Sequence, residues 1–98
     1  MSTLPRITAV EHLGGRVLRL TFTDGLVREL DFNGALPGIL STIDDDDVFA
    51  RATVDEVAGT VSWPVGVDLD PDVLHGDLDP ASPPRARLIR EYRLQRIR

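Results

Sequence analysis

The chain of 98 residues contains no cysteine and only five aromatic side chains. Without cysteine, the protein has no disulfides, no thiolate metal sites and no cysteine nucleophile. Lysine is also missing: all eleven basic residues are arginine. We read this mainly as a compositional bias, although arginine is also the better residue for bidentate pairing. A chain of this length supports one hydrophobic core, which predicts a single domain.

Long apolar runs are missing as well. None approaches the roughly 20 residues that a helix needs to cross a bilayer. The N-terminal residues 1–6 lack the apolar stretch of a secretion signal. We therefore expect a cytoplasmic protein that has no membrane partner, and nothing in the sequence calls for a cofactor.

The net charge of −5 is divided unevenly along the chain. Residues 1–84, which we call the body, carry fifteen acidic side chains and five arginines, a net charge of −10. Residues 85–98, which we call the tail, carry six arginines and one glutamate, a net charge of +5. The acidic body argues against nonspecific nucleic-acid binding by the folded domain. The basic tail needs a separate interpretation.

Residues 6–32 predict three strands. The segments are 6–13, 16–22 and 26–32, separated by glycine-containing turns. In the second segment apolar and polar residues alternate, which is typical of a half-buried strand.

The turn at Asp24-Gly25 allows two registers for the hairpin. A two-residue loop would place Leu18 opposite Asp31, whereas a three-residue loop places Leu18 opposite Leu30. A slip of one residue moves side chains to the wrong face, so the second register is favoured. It also places Gly25 in the left-handed conformation that a bulged turn needs.

The rest of the body predicts short elements and then a linker. These are a helix over 35–43, the N-terminus of a further helix flanked by four aspartates at 44–47, a strand pair at 52–55 and 60–63, a helix at Pro71–His75 capped by Asp70, and a linker at 79–84. The expected fold is α+β: a small antiparallel sheet of about five strands in two hairpins, with short helices on one side and a C-terminal helical extension. The expected organisation is a domain at 1–79, followed by the linker and an arginine-rich helix at 80–98.

Two segments of the body carry a resemblance to a known family. They are Leu18–Gly25 with Leu30-Asp31, and Val54–Glu56 with Gly59–Val61 and Trp63–Leu74, the last of which contains Trp-Pro-x-Gly-x-Asp-Leu-x-Pro. The chain resembles the bacterial domain of unknown function 2442 (DUF2442) over roughly residues 5–76. It differs in having Val65 where asparagine is usual and His75 where tyrosine is usual.

This resemblance implies no catalytic residues. Family members are short bacterial proteins that are often encoded beside a second small protein, as toxin–antitoxin pairs are, and some carry a helix-turn-helix module. The resemblance therefore favours a non-enzymatic protein-binding module, the antitoxin-like partner of a two-gene system. Its expected partner is the small protein encoded by the adjacent gene, and a homodimer is an alternative.

The acidic clusters and histidines do not predict a metal or catalytic site. Asp68, Asp70 and Asp72 have the spacing that opens a calcium loop, but Val73 stands where that loop needs glycine. Consecutive aspartates at 44–47 favour a helix N-terminus, because the helix dipole attracts negative charge there. The two histidines lie far apart without ligand spacing. We expect no catalytic residue and no metal.

Trp63, the single tryptophan, is the first candidate for partner binding. Tryptophan is enriched at interface hot spots. It also packs large apolar area in a core, and that alternative stays open.

The tail provides the other candidates. On a helix, Leu88, Ile89 and Tyr92 would form an apolar stripe for a partner protein. The surrounding arginines, candidates for nucleic-acid binding, are Arg85, Arg87, Arg90, Arg93, Arg96 and Arg98. Three interpretations stay open: the tail binds a partner, binds DNA, or packs on its own acidic body. A DNA-associated transcriptional regulator that acts through the tail is therefore the alternative function.

Overall fold

The computed structural model describes residues 6–76 and 86–94. In these residues, seven strands form two antiparallel sheets, with the strand orders β1-β2-β3-β7 and β4-β5-β6. The strands are β1 (Ile7–Gly14), β2 (Val17–Phe22), β3 (Leu26–Asp31), β4 (Thr53–Asp55), β5 (Thr60–Trp63), β6 (Val67–Asp68) and β7 (Arg87–Arg93). A 3-10 helix (Gly38–Ile43), α1 (Asp46–Phe49) and α2 (Pro71–His75) connect them.

The predicted hairpin register is confirmed. Leu18 lies opposite Leu30, and Arg19 lies opposite Glu29. Gly25 has a φ of +87° and donates its N–H to the carbonyl of Phe22 at 3.0 Å, which closes the three-residue turn. This register buries the apolar residues of both strands together, as the burial of alternate residues in β2 shows.

The core lies between the two sheets. It contains Leu18, Leu20 and Phe22 of β2, Leu26 and Leu30 of β3, and Phe32, Ile43, Phe49, Val61, Trp63, Leu69 and Leu74. The sheets also meet at β1, where the N–H of Ile7 donates to the carbonyl of Gly59 at 2.8 Å. Alternate residues of the four-stranded sheet point away from this core and form what we call the outer face.

The short helices lie at both ends of this core: the 3-10 helix and α1 lie near the β1–β2 turn, where Arg16 contacts Asp44 and Asp46, and α2 lies near the β2–β3 turn, where His75 contacts Asp24. The helix predicted over 35–43 is a shorter 3-10 helix that begins after Pro37, with Ile43 buried and Ile39 exposed. The aspartate run flanks a helix N-terminus as predicted: Asp45 caps α1 by accepting from the N–H groups of Asp47 and Val48. No helix among the described residues is long and apolar enough to cross a membrane.

The α+β prediction with a C-terminal helical extension is wrong. The protein is mostly sheet, and the predicted tail helix is the strand β7, paired antiparallel with β3. The i, i+1, i+4 spacing of Leu88, Ile89 and Tyr92 fits a helix, but an isolated short helix is marginal in water. Pairing with β3 gives the tail a backbone ladder, and three of the four charged residues of β7 lie opposite a residue of the other sign.

Candidate binding site at the edge of the four-stranded sheet

The candidate site is the edge of β3 that faces away from β2, which we call the β3 edge. Strand β7 lies along all of it, and a bulge between Glu29 and Leu30 leaves Ile89 as the extra residue of β7. The ladder continues past the strand, because the N–H of Leu94 donates to the carbonyl of Gly25 at 2.8 Å. The paired residues are Leu26 with Arg93, Val27 with Tyr92, Arg28 with Glu91, Glu29 with Arg90, Leu30 with Leu88 and Asp31 with Arg87.

A row of alternating charges crosses the outer face from β1 to β7. The Arg19 guanidinium lies 2.7 Å from Glu11 and 3.1 Å from Oε2 of Glu29. The same oxygen lies 3.5 Å from Nε of Arg90. Glu29 is only 8% exposed, so these two arginines are the ion-pair partners of a carboxylate that water reaches poorly. The hydrogen bond from Arg19 to Glu29 also raises the pKa of Arg19.

Carboxylates hold both ends of β7. Near its beginning, Arg87 donates to Asp31 at 3.1 Å. At its end, Nη1 of Arg93 lies 2.9 Å from the carbonyl oxygen of Asp24 and 3.4 Å from its carboxylate. His75 Nε2 lies 2.8 Å from the same carboxylate, which joins the end of α2 to the turn that β7 reaches.

Both of these carboxyl groups have lowered pKa values. The N–H of Asn33 and, second, the guanidinium of Arg87 hold the pKa of Asp31 below its ordinary value, against a smaller effect of burial. Partial burial raises the pKa of Asp24. The N–H of Leu26 and contacts with His75 and Arg93 outweigh burial, so this pKa is also lowered. Both groups are thus held in the charged form that arginine pairing needs.

On the core side of the β3 edge, β3 contributes a positive charge, whereas on the outer face it contributes two carboxylates. Arg28 is half-buried, and its Nη1 donates to the carbonyl of Leu74 at 2.6 Å. Its Nε lies 3.0 Å from the Glu91 carboxylate, the one acidic group of β7. The charges of β3 and β7 are therefore complementary on both faces of the sheet.

The profile of the family described as "Protein of unknown function (DUF2442)" matches residues 7–76. The chain belongs to this family. Comparison with curated proteins and with solved structures gave no significant match. The DUF2442 match covers β1 to β6 and all three short helices, but it ends before β7. The strand on the β3 edge therefore comes from outside the DUF2442 domain.

The tail candidates lie on this edge of the DUF2442 domain, but not as one helical face. Leu88 is paired with Leu30 on the core side, and Tyr92 with Val27 on the outer face. Leu88 and Ile89 remain 45% and 46% exposed. The described arginines, Arg87, Arg90 and Arg93, are each paired with a carboxylate. Arg85, Arg96 and Arg98 lie outside the described residues.

Trp63, the other candidate, lies in the core of the DUF2442 domain. It is 3% exposed, and its indole Nε1 donates to the carbonyl of Phe49 at 3.0 Å. Its ring centroid lies 5.6 Å from that of Phe49. Trp63 therefore packs in the core, which was the alternative interpretation, and it offers almost no exposed surface to a partner.

Sequence reasoning missed the residues of the DUF2442 domain that receive the tail: Asp24, Arg28, Glu29 and Asp31. A signal was present. If residues 87–91 are written antiparallel to residues 28–31, with one bulge, three pairs of opposite charge result. That comparison requires the tail to be considered as a strand.

A second group of ion pairs in the DUF2442 domain surrounds Arg16. Arg16 donates to Asp44 at 2.9 Å and to Asp46 at 2.7 Å, and its guanidinium lies 5.7 Å from the centre of the Phe49 ring. Within residues 6–76 and 86–94, no three potential ligands cluster so that they could hold a metal ion. The β3 edge, which pairs with a second strand through complementary charges, is the candidate binding site in this part of the chain.

Proposed function

We propose that this DUF2442 protein is a non-enzymatic protein-binding module that receives an extended segment of its partner at the β3 edge. One observation carries the proposal: a strand from outside the family domain already pairs with that edge. Strand addition gives affinity through main-chain hydrogen bonds and specificity through side chains at alternate positions. In this chain the tail occupies the edge, and a partner strand displaces it.

The proposed partner is the small cytoplasmic protein encoded by the adjacent gene, so that this chain is the antitoxin-like member of the pair. Occupation of the β3 edge by the tail supports a selective partner, because only a strand that competes with residues 87–93 can displace the tail. The expected complex is stable, and its formation releases the tail from β3.

The test uses the full chain with a tail that cannot pair. Arg90→Pro places a ring in the middle of β7, where proline removes a ladder donor. We expect this variant to bind a fluorescent peptide of residues 85–98 saturably in fluorescence anisotropy, whereas the wild-type chain, with its edge occupied, binds it weakly. A peptide that carries Arg90→Pro itself is the control and should not bind. Equal binding of both peptides would contradict strand addition.

DNA-associated regulation through the tail is the second candidate. It is supported by the exposure of the Arg87, Arg90 and Arg93 side chains, which are 75%, 60% and 57% exposed although each is paired with a carboxylate. Binding to a duplex would exchange these carboxylates for phosphates, and affinity would fall steeply with salt. Salt-sensitive duplex binding that Arg87→Gln/Arg90→Gln/Arg93→Gln abolishes would favour this candidate over strand addition.

A further inference from the structure

Strands β1, β2 and β3, which the DUF2442 domain contributes to the four-stranded sheet, leave an unbalanced charge on the outer face. Pairing places the carboxylates of Glu11, Glu29 and Asp31 on that face, together with a single guanidinium, that of Arg19. Their sum is −2. Arg87 and Arg90 of β7 lie on the same face and bring it to zero. A strand without basic residues at these two positions would leave Glu29 poorly compensated in its 8% exposed position.

The other face of the β3 edge requires an acidic residue. The guanidinium of Arg28 has a side-chain exposure of 14%, and Glu91 supplies its carboxylate partner at 3.0 Å. An arginine or lysine opposite Arg28 would put two like charges in direct cross-strand contact, which destabilises a sheet. The site therefore distinguishes neighbouring positions of an incoming strand by opposite charges.

The residue of β7 that follows Glu91 is aromatic. Tyr92 lies opposite Val27, which is only 2% exposed although it points to the outer face. The Arg90 guanidinium lies 4.8 Å from the centre of the Tyr92 ring, a cation–π contact. The ring thus packs on Val27 while it supports the arginine that pairs with Glu29. An arginine followed two residues later by an aromatic residue is the arrangement that this edge accommodates.

Resting on the strand-addition function above, we propose that the β3 edge selects partner segments of the pattern Arg-x-x-Arg-Glu-aromatic-Arg. The partner strand runs antiparallel to β3 with the same bulge. Its first arginine pairs with Asp31, its second with Glu29, its glutamate with Arg28 and its last arginine with Asp24. The tail is a built-in competitor with this pattern, and the partner is a protein with an exposed segment of the same chemistry.

The experiment measures binding of fluorescent peptides of residues 85–98 to the full-length Arg90→Pro chain. Arg87→Glu/Arg90→Glu in the peptide turns two attractive pairs into repulsive ones, so we expect affinity to fall by about tenfold or more. Glu91→Arg should weaken binding by several-fold, roughly, for the same reason. The matched control peptide, Arg96→Glu/Arg98→Glu, has the same net charge as the double variant, but its residues 87–93 are those of the wild type.

The outcomes separate the two proposals. A loss for Arg87→Glu/Arg90→Glu that greatly exceeds the loss for the control supports the pattern. Equal losses for both peptides overturn it in favour of unspecific charge attraction, while strand addition stands. If no peptide binds, strand addition fails and the pattern with it. A further peptide carries Arg90→Glu alone, and its rescue by Glu29→Arg in the Arg90→Pro chain would assign that pair directly. If the Glu29→Arg chain does not fold, the comparison of the peptides on the Arg90→Pro chain still decides.

Discussion

Gly25 connects the hairpin turn to the tail. Its φ of +87° lies in the left-handed region, and its carbonyl accepts the N–H of Leu94. A Cβ at this position would stand 3.4 Å from the carbonyl oxygen of Leu94. The residue is therefore constrained by its own backbone conformation and by the strand that ends beside it.

We expect Gly25→Ala to lower the free energy of unfolding by about 1–2 kcal/mol, since a Cβ is disfavoured in this conformation. Gly25→Asn is the control, because asparagine tolerates left-handed backbone better and should lose less. Urea denaturation followed by tryptophan fluorescence measures both. Equal losses for the two variants would count against the left-handed turn.

We expect acid to weaken the end of the β3 edge where Asp31 contacts Arg87. Its pKa is lowered in the folded protein, first by the N–H of Asn33 and then by Arg87. The stabilisation is therefore complete above the ordinary value of 3.8 and is lost as the pH falls through the lower folded value. Asp31→Asn removes the charge that Arg87 contacts.

The wild type should exceed Asp31→Asn in stability by about 0.5–1 kcal/mol at pH 6, as a partly exposed ion pair does. The difference should shrink as the pH falls below the ordinary value of 3.8 and through the lower pKa of the folded carboxyl group. Thermal melts of both proteins between pH 2.5 and 7 give this comparison. A difference that is constant with pH would show that the charge of Asp31 does not matter.

Removal of strand β7 tests whether the body folds without the tail. Apart from the partly buried Ala86, the core residues lie between Ile7 and Leu74, within the DUF2442 domain. Truncation after Pro84 should therefore leave a cooperatively folding body. It also exposes the backbone N–H and carbonyl groups of the β3 edge, and open edges pair with other chains.

Circular dichroism melts and sedimentation velocity of the truncated protein should thus show a folded chain that self-associates more than the wild type. Truncation after Leu94, which keeps β7, is the control and should behave like the full chain. Unfolding of the shorter protein would mean that the tail is part of the core.

The local sequence pattern was sufficient to predict the elements whose partners lie near them in the sequence. Alternation in β2 and the glycine at 25 fixed the register with β3, and Asp45 behaves as the aspartate run predicted. The identity of β7 was beyond such reasoning, because its partners in β3 lie about sixty residues away. Arginine, leucine and glutamate are good helix formers, so local propensity favoured a helix until tertiary pairing overrode it.

At the scale of the molecule, the acidic charge is distributed among caps and ion pairs. Asp45 caps α1, Asp44 and Asp46 contact Arg16, and Asp55 accepts from the N–H groups of Val57 and Ala58. These carboxylates already have partners from the protein, which leaves them poorly arranged as ligands for a divalent cation.

Millimolar calcium or magnesium should therefore leave the melting temperature unchanged, with EDTA-treated protein as the control. A cation that binds only the native state at a hundred times its dissociation constant would add about 2.7 kcal/mol to the stability. A rise in melting temperature of corresponding size would show that an acidic cluster binds metal.

The most direct test of the account is a disulfide between β3 and β7. The chain has no cysteine of its own, so Val27→Cys/Tyr92→Cys introduces the single pair. Residues directly opposite in antiparallel strands have Cα atoms about 4.5–5.5 Å apart, within the range that disulfides accept. The control is Val27→Cys/Arg93→Cys, because Arg93 points to the opposite face.

After mild oxidation, thiol counting and non-reducing electrophoresis measure how much disulfide forms within one chain and how much forms between two chains. We predict a disulfide within one chain for Val27→Cys/Tyr92→Cys in most of the monomeric protein, and little for the control. A tail packed as a helix, or elsewhere on the body, would give similar low yields for both pairs. That result, or a disulfide that forms only between two chains, would contradict the placement of the tail on the β3 edge.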